Sequence, residues 1–177
     1  MVQLQPGLFL EKLHENHSER LREFDCGHRD TNDFNHNAAV AYQRENLGKT
    51  YLILDKVGRI HSFITIAMGV LKVKDEQLAL NLGSLDKPSQ LPALRIARLG
   101  TANGEQGKGF GTMALEAVGS VFEFLQEHVG TRFIIVDAVP ERVNWYAKRG
   151  FKSVFSDISG RETVPMYFMP PLEPKLN

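Results

Sequence analysis

The chain has 177 residues, the length of one ordinary domain and enough to bury a substantial core. Apolar residues make up 42% and charged residues 24%, a balance that excludes a disordered chain, and no apolar run approaches the ~20 residues of a spanning helix, so no membrane contact is expected. With 21 basic side chains against 21 acidic ones, net charge gives no long-range attraction to nucleic acid, although a local patch still acts within a Debye length of about 10 Å. The opening MVQLQPGLFLEKL has neither the basic flank nor the small-residue cleavage site of a signal peptide, and the lone Cys26 rules out an internal disulfide. A cytoplasmic location is the expectation.

Residues 18–24 and 31–44 predict helices, the second with Phe34, Ala38, Ala41 and Tyr42 near one face, and Asp25-Cys26-Gly27 breaks the chain between them. Residues 50–55 and 60–70 are rich in β-branched and aromatic side chains, and the turn 56–59 joins them as a hairpin. From 74 to 93 the pattern weakens around Gly83, Pro88 and Pro92, which reads as a surface connection with room for a short helix. A buried strand follows at 94–101.

That strand runs into a glycine-rich turn at 103–111 and then into the best helix of the sequence. Phe110, Met113, Ala114, Ala117, Val118, Val121, Phe124 and Leu125 recur at steps of three and four and form its expected core stripe. Residues 133–138 (FIIVDA) read as a strand covered on both faces. Pro140 can open a short helix that Gly150 closes, and two last strands are expected at 152–157 and 164–169 around a Ser159-Gly160 turn. A single α/β domain over 1–177, with one mixed sheet and helices on both faces, accommodates these elements.

Gly107, Gly109 and Gly111 let the backbone bend tightly and present N–H groups at a helix start, where the dipole favours a phosphate. The turn is not a nucleotide-triphosphate P-loop, because Gly111-Thr112-Met113 stands where Lys-Ser/Thr is needed, and it lacks G-x-G-x-x-G spacing. A purely structural turn is the competing reading. His14 with His17, and His28 with His36, are metal candidates by type, but no carboxylate or cysteine pattern completes a site, so no metal is expected and they read as surface residues. Cys26 as a nucleophile would need a partnering base; beside Gly27 it reads as a packing or helix-ending residue.

Gln106-Gly107-Lys108-Gly109-Phe110-Gly111 resembles the Q/R-x-x-G-x-G/A loop of the GNAT acyltransferases, and Trp145-Tyr146-Ala147-Lys148-Arg149-Gly150-Phe151 resembles their F-Y-x-x-x-G-F segment. The resemblance spans residues 50–170. It implies the GNAT fold, with the fourth and fifth strands splayed around acetyl-CoA, a cosubstrate that donates its acetyl group to a primary amine. It implies main-chain contacts from Leu99 and Thr101 to the pantetheine arm, a pyrophosphate held by Gln106, Gly107, Lys108, Gly109, Phe110, Gly111 and Thr112, and Tyr146 as general acid towards the CoA thiolate. Many members carry an asparagine seven residues before that tyrosine; this chain has Val139 there, and Asn144 is off register.

No carboxylate lies in 94–101 to serve as general base. A lysine amine of pKa ~10.4 needs about 4 to 5 kcal/mol to lose its proton at pH 7, an α-amine of pKa ~8 only about 1, so the missing carboxylate favours an α-amine acceptor. A second resemblance points the same way. Phe24-Asp25-Cys26-Gly27, Thr31-Asn32-Asp33-Phe34, Leu91-Pro92, Arg98-Leu99 and Pro165-Met166-Tyr167-Phe168 look like the GNAT toxins of toxin–antitoxin modules, which acetylate aminoacyl-tRNA. In that reading the acceptor meets a basic surface of Arg95, Arg98, Arg142, Lys148, Arg149 and Lys152, and an antitoxin is a partner. Family members are often homodimers, for which no sequence pattern speaks here. A metabolic or protein acetyltransferase and a catalytically silent CoA-binding domain stay beside the toxin reading; the metabolic and toxin readings share every motif.

Overall fold

The computed structural model describes residues 1–72 and 89–171. Most of the expected connection at 74–93 lies outside them, but residues 90–93 belong to a strand, which therefore starts four residues earlier than the sequence suggested. The chain divides into two compact units, one of Met1–Ala67 with Ile96–Glu123, the other of Met68–Arg95 with Phe124–Asn177. The described strands follow the order β1-β2-β3-β4-β5-β6-β8-β7 in one sheet, and β4 (Ile60–Lys72) and β5 (Gln90–Thr101) each give part of their length to each unit.

In the first unit, β1 (Val2–Gln5) and β2 (Leu8–Lys12) form an antiparallel hairpin that the sequence reading did not assign. Its signal was the V-Q-L-Q alternation ended by Pro6-Gly7, where Gly7 turns the chain at φ 87°. β2 pairs with β3 (Lys49–Asp55), Leu8 opposite Asp55, and β3 pairs with β4, Lys49 opposite Ile66. The Asp55 carboxylate shapes the turn after β3 by accepting the N–H groups of Val57 (3.0 Å) and Arg59 (2.9 Å).

The helix α1 (Ser18–Glu23) falls where expected, but the single helix expected over 31–44 is two, α2 (Arg29–Asn37) and α3 (Ala39–Arg44). The break is at Ala38, whose φ of −124° and ψ of −28° leave the helical region. The backbone bonds Ala38 N–H to Phe34 carbonyl and Tyr42 N–H to Ala38 carbonyl continue across it, so a hydrophobic stripe alone could not reveal it. Leu13, Leu21, Phe24, Leu52, Leu54 and Phe63 form the core of this unit, with the Phe24 ring edge-on to Phe63 at 5.3 Å. Each such side chain contributes about 1.5 to 3 kcal/mol by its burial.

The long helix α4 (Phe110–His128) buries Phe110, Ala114, Val118 and Phe122, a run of steps of four. Phe124, expected in that stripe, is 57% exposed and stacks on His128 at 4.2 Å. It stands two residues beyond Phe122, about 200° round the helix, so the core position falls to Phe122. No described helix is long and apolar enough to cross a membrane.

In the second unit, the amide of Arg132 donates to the Pro92 carbonyl (3.0 Å), so β5 and β6 (Phe133–Ala138) begin side by side. β6 pairs antiparallel with β8 (Val164–Phe168), and β8 with β7 (Lys152–Ser153). The strand expected at 152–157 stops after two residues because the Ser153 hydroxyl both donates to the Phe155 carbonyl (2.7 Å) and accepts the Phe155 N–H (3.1 Å), turning the chain away. Leu71, Leu91, Ala93, Phe133 and Ile135 are the core of this unit. After β6, a 3-10 turn at Pro140–Arg142 leads into α5 (Val143–Ala147).

Candidate functional site

The glycine turn is built in the first unit. β5 ends at Thr101, the Ala102 N–H donates to the His61 carbonyl (2.9 Å), and Gly104, Gly107 and Gly109 take φ values of 78°, 81° and 93°. Such backbone is costly for any other residue type. A Cβ at Gly104, Gly107 or Gly109 would meet nothing within 4 Å, so open space lies over the turn, the shape that a ligand approaching the main chain needs. The Gly109 carbonyl accepts the N–H groups of Thr112 (2.9 Å) and Met113 (3.0 Å), which opens α4 and leaves the N–H groups of Phe110 and Gly111 without an intrahelical partner. They stand at the positive end of a 19-residue helix, an arrangement that can meet an anion by geometry and by dipole.

Two side chains of the turn point elsewhere. Gln106 donates its amide to the Cys26 carbonyl (3.0 Å) and the Thr101 carbonyl (3.4 Å), while Lys108 donates to Glu105 (3.0 Å). An anion over the turn would therefore be met by backbone N–H groups first. Leu99 and Thr101 are half-buried on β5, and the Thr101 hydroxyl lies 3.2 Å from that of Ser62, which donates to the Gly100 carbonyl at 2.8 Å.

Beside the turn is a charge cluster that the sequence reading missed. His61, 8% exposed, stacks on the Phe110 ring at 4.5 Å and places Nε2 3.4 Å from Asp55 and Nδ1 3.8 Å from Glu105. Glu105 also pairs with Arg59 (3.3 Å), and the Lys108 hydrogen bond is the main cause that holds its carboxyl below the usual range. The β3–β4 turn sets Asp55, Arg59 and His61 close together, while Glu105 and Lys108 join them from the glycine turn after β5, so no local spacing announces the cluster.

Tyr146 belongs to the second unit, on α5. It is 6% exposed, with Trp145 edge-on at 4.9 Å and Phe151 at 5.3 Å, and its carbonyl accepts the N–H groups of Arg149 (2.9 Å) and Phe151 (3.2 Å) that end the helix. Burial pushes its phenol up to about 12, opposed by the charges of Arg142 and Arg149. The proton therefore stays on oxygen throughout the neutral range, and the group is a donor. Gly150 has a φ of 86°, and a Cβ there would stand 3.0 Å from the Phe168 ring, so a side chain at this position is strained in its backbone and crowded against that ring.

The basic residues singled out from the sequence are not one free patch. Arg95 pairs with Asp137 within the second unit, and Arg149 lies 3.7 Å over the Trp145 ring and donates to its carbonyl (2.8 Å). Arg98, in the first unit, is 5.2 Å over the Phe34 ring and donates to the Ala97 carbonyl (2.7 Å). Arg142, Lys148 and Lys152 are exposed in the second unit. Of the histidines read as surface residues, His17 is instead 3% exposed: its Nδ1 accepts the His14 N–H (3.0 Å), and burial lowers its pKa. Among the described residues no group of three or more His, Cys, Asp or Glu is placed to hold a metal ion.

No family model matches the chain. Solved structures do. A bacterial toxin aligns at TM-score 0.80 and 20% identity over 92% of this chain and 90% of its own. A mutant of the AtaT toxin, bound to the C-terminus of the antitoxin AtaR and to acetyl-CoA, aligns at TM-score 0.73 and 18% identity over 92% and 93%. AtaT complexed with acetyl-methionyl-tRNAfMet aligns at TM-score 0.74 and 20% identity over 92% and 94%. At these identities the likeness is one of fold, and the fold is the GNAT fold expected from the two motifs.

Proposed function

We propose that the chain is one acetyltransferase domain that transfers the acetyl group of acetyl-CoA to the α-amine of aminoacyl-tRNA. The observation that carries this reading is the turn at 104–109, where three glycines at positive φ leave open space over the N–H groups that start α4. That shape fits a pyrophosphate held by main chain, with Leu99 and Thr101 of β5 offering their main-chain groups to the pantetheine arm. The AtaT structures support the choice of cosubstrate, acceptor and partner, since they hold acetyl-CoA, an acetylated aminoacyl-tRNA and an antitoxin.

Acetyl-CoA supplies the acetyl group and a thiol leaving group of pKa ~8.5. Tyr146 holds a proton at Oη. Full transfer from a phenol at about 12 to that thiolate runs uphill by roughly 3.5 units, about 5 kcal/mol, so Tyr146 serves as a hydrogen-bond donor whose bond strengthens as charge grows on sulfur. The acceptor must arrive as a free amine. An α-amine of pKa ~8 does so at little cost without a protein base, which suits a β5 that carries no carboxylate. Arg142, Lys148 and Lys152, three exposed cations of the second unit, are the residues we assign to RNA phosphates; Arg95 and Arg149 are committed to Asp137 and Trp145. A cytoplasmic enzyme with an antitoxin partner, and a homodimer, are parts of the same proposal.

Thermal unfolding with acetyl-CoA tests the cosubstrate assignment. At a hundredfold to thousandfold excess over Kd the native state gains about 2.7 to 4.1 kcal/mol, a rise of several degrees in Tm. A Tm that does not move with millimolar acetyl-CoA or CoA contradicts it.

A further inference from the structure

The Phe24-Asp25-Cys26-Gly27 segment, between α1 and α2, has no task in the chemistry above, yet it is bonded to the glycine turn at several points. The Asn103 N–H donates to the Asp25 carbonyl (2.8 Å), and the Asn103 side-chain amide donates to Asp25 Oδ2 (2.8 Å). Gln106 donates to the Cys26 carbonyl (3.0 Å). The other carboxylate oxygen, Oδ1, accepts the Gly27 N–H (2.8 Å) and the Asn32 side-chain amide (2.6 Å), while Asn32 Oδ1 accepts the Cys26 N–H (3.0 Å) and lies 3.1 Å from its thiol. Gly27, at φ 78°, completes the junction: a Cβ there would stand 3.0 Å from Asn103 Oδ1.

We propose that Asp25 is a positioning residue for the glycine turn, fixing through Asn103 the conformation in which the main chain of 104–109 faces open space. Hydrogen bonds to an ionised carboxylate are the stronger kind. The Gly27 N–H is the main cause that holds the Asp25 carboxyl below its usual range, followed by Asn32, with Asn103 adding to them. The three glycines cannot hold the turn themselves, since glycine has the largest freedom to lose. The restraint comes from Asn103 and Gln106, each bonded to a segment 78 to 80 residues away. The inference rests on the assignment of the turn as the cosubstrate site, and its test separates the two.

The experiment uses the full chain, with CoA as the probe, and reads both CoA affinity and amide hydrogen exchange across 103–109. Asp25→Ala is expected to raise exchange in that segment and weaken CoA binding by about tenfold, leaving exchange in β6 and β8 unchanged. Asp25→Asn sets its amide against the Asn103 amide and is expected to weaken binding by a similar factor. The double variant Asp25→Asn with Asn103→Asp restores an amide facing a carboxylate and is expected to recover affinity and protection to within about threefold of wild type. If Asp25→Ala does not fold, the single and double Asn variants carry the comparison. Unchanged exchange and affinity in a folded Asp25 variant, or a double variant no better than the single ones, overturns the proposal. Should wild type fail to bind CoA while the exchange pattern and its rescue appear, the positioning role stands and the cosubstrate assignment falls.

Discussion

Tyr146 concentrates the chemistry proposed for the chain into one hydroxyl. Its position was legible because Trp145 to Phe151 is a local motif, but its environment was not. Burial between Trp145 and Phe151 pushes the phenol up to about 12, above its ordinary value of about 10. Tyr146→Phe keeps the ring contacts and is expected to lower turnover by about 10²- to 10³-fold with CoA affinity unchanged. The pH–rate profile should rise as the acceptor amine loses its proton near pH 8 and stay level through pH 10, because the tyrosine stays protonated until pH approaches its raised pKa. A falling limb centred at pH 10 that disappears in Tyr146→Phe would show an unshifted phenol instead.

At the scale of elements, what could be read from the sequence was what depends on near neighbours. β6 runs over the expected residues, and the glycines of 104–111 announced a turn opening a helix. What escaped were features set by one distant or one stereochemical detail: the break at Ala38, the Ser153 hydroxyl that ends β7, and the phase of α4 that buries Phe122 and exposes Phe124. The partners of Gln106 were equally hidden, being 80 residues away. The two ends of α4 offer a controlled test of its first turn. Gly109 at the start and Gly130 just beyond the end both have positive φ and open space over a would-be Cβ. Gly109→Ala and Gly130→Ala should each cost stability by about 1 kcal/mol, from the same backbone strain, but only Gly109→Ala should weaken CoA, by about tenfold or more. Equal CoA affinities for the two variants would make the glycine turn a structural feature alone.

For the molecule as a whole, charge gives little guidance, since 21 basic and 21 acidic side chains cancel. The structure explains part of that balance as internal pairing: Arg95 with Asp137, and Arg59 and Lys108 with Glu105. The glycine turn belongs to one unit of the chain and Tyr146 to the other. The most direct test of it follows acetyl label from acetyl-CoA into a mixture of aminoacyl-tRNAs, small amines and peptides presented to the full chain. The account predicts label on the α-amine of aminoacyl-tRNA, sensitive to salt because phosphate contacts contribute to binding, and lost in Tyr146→Phe. Label on small amines or peptides alone, or equal labelling of aminoacyl-tRNA by wild type and Tyr146→Phe, would contradict it.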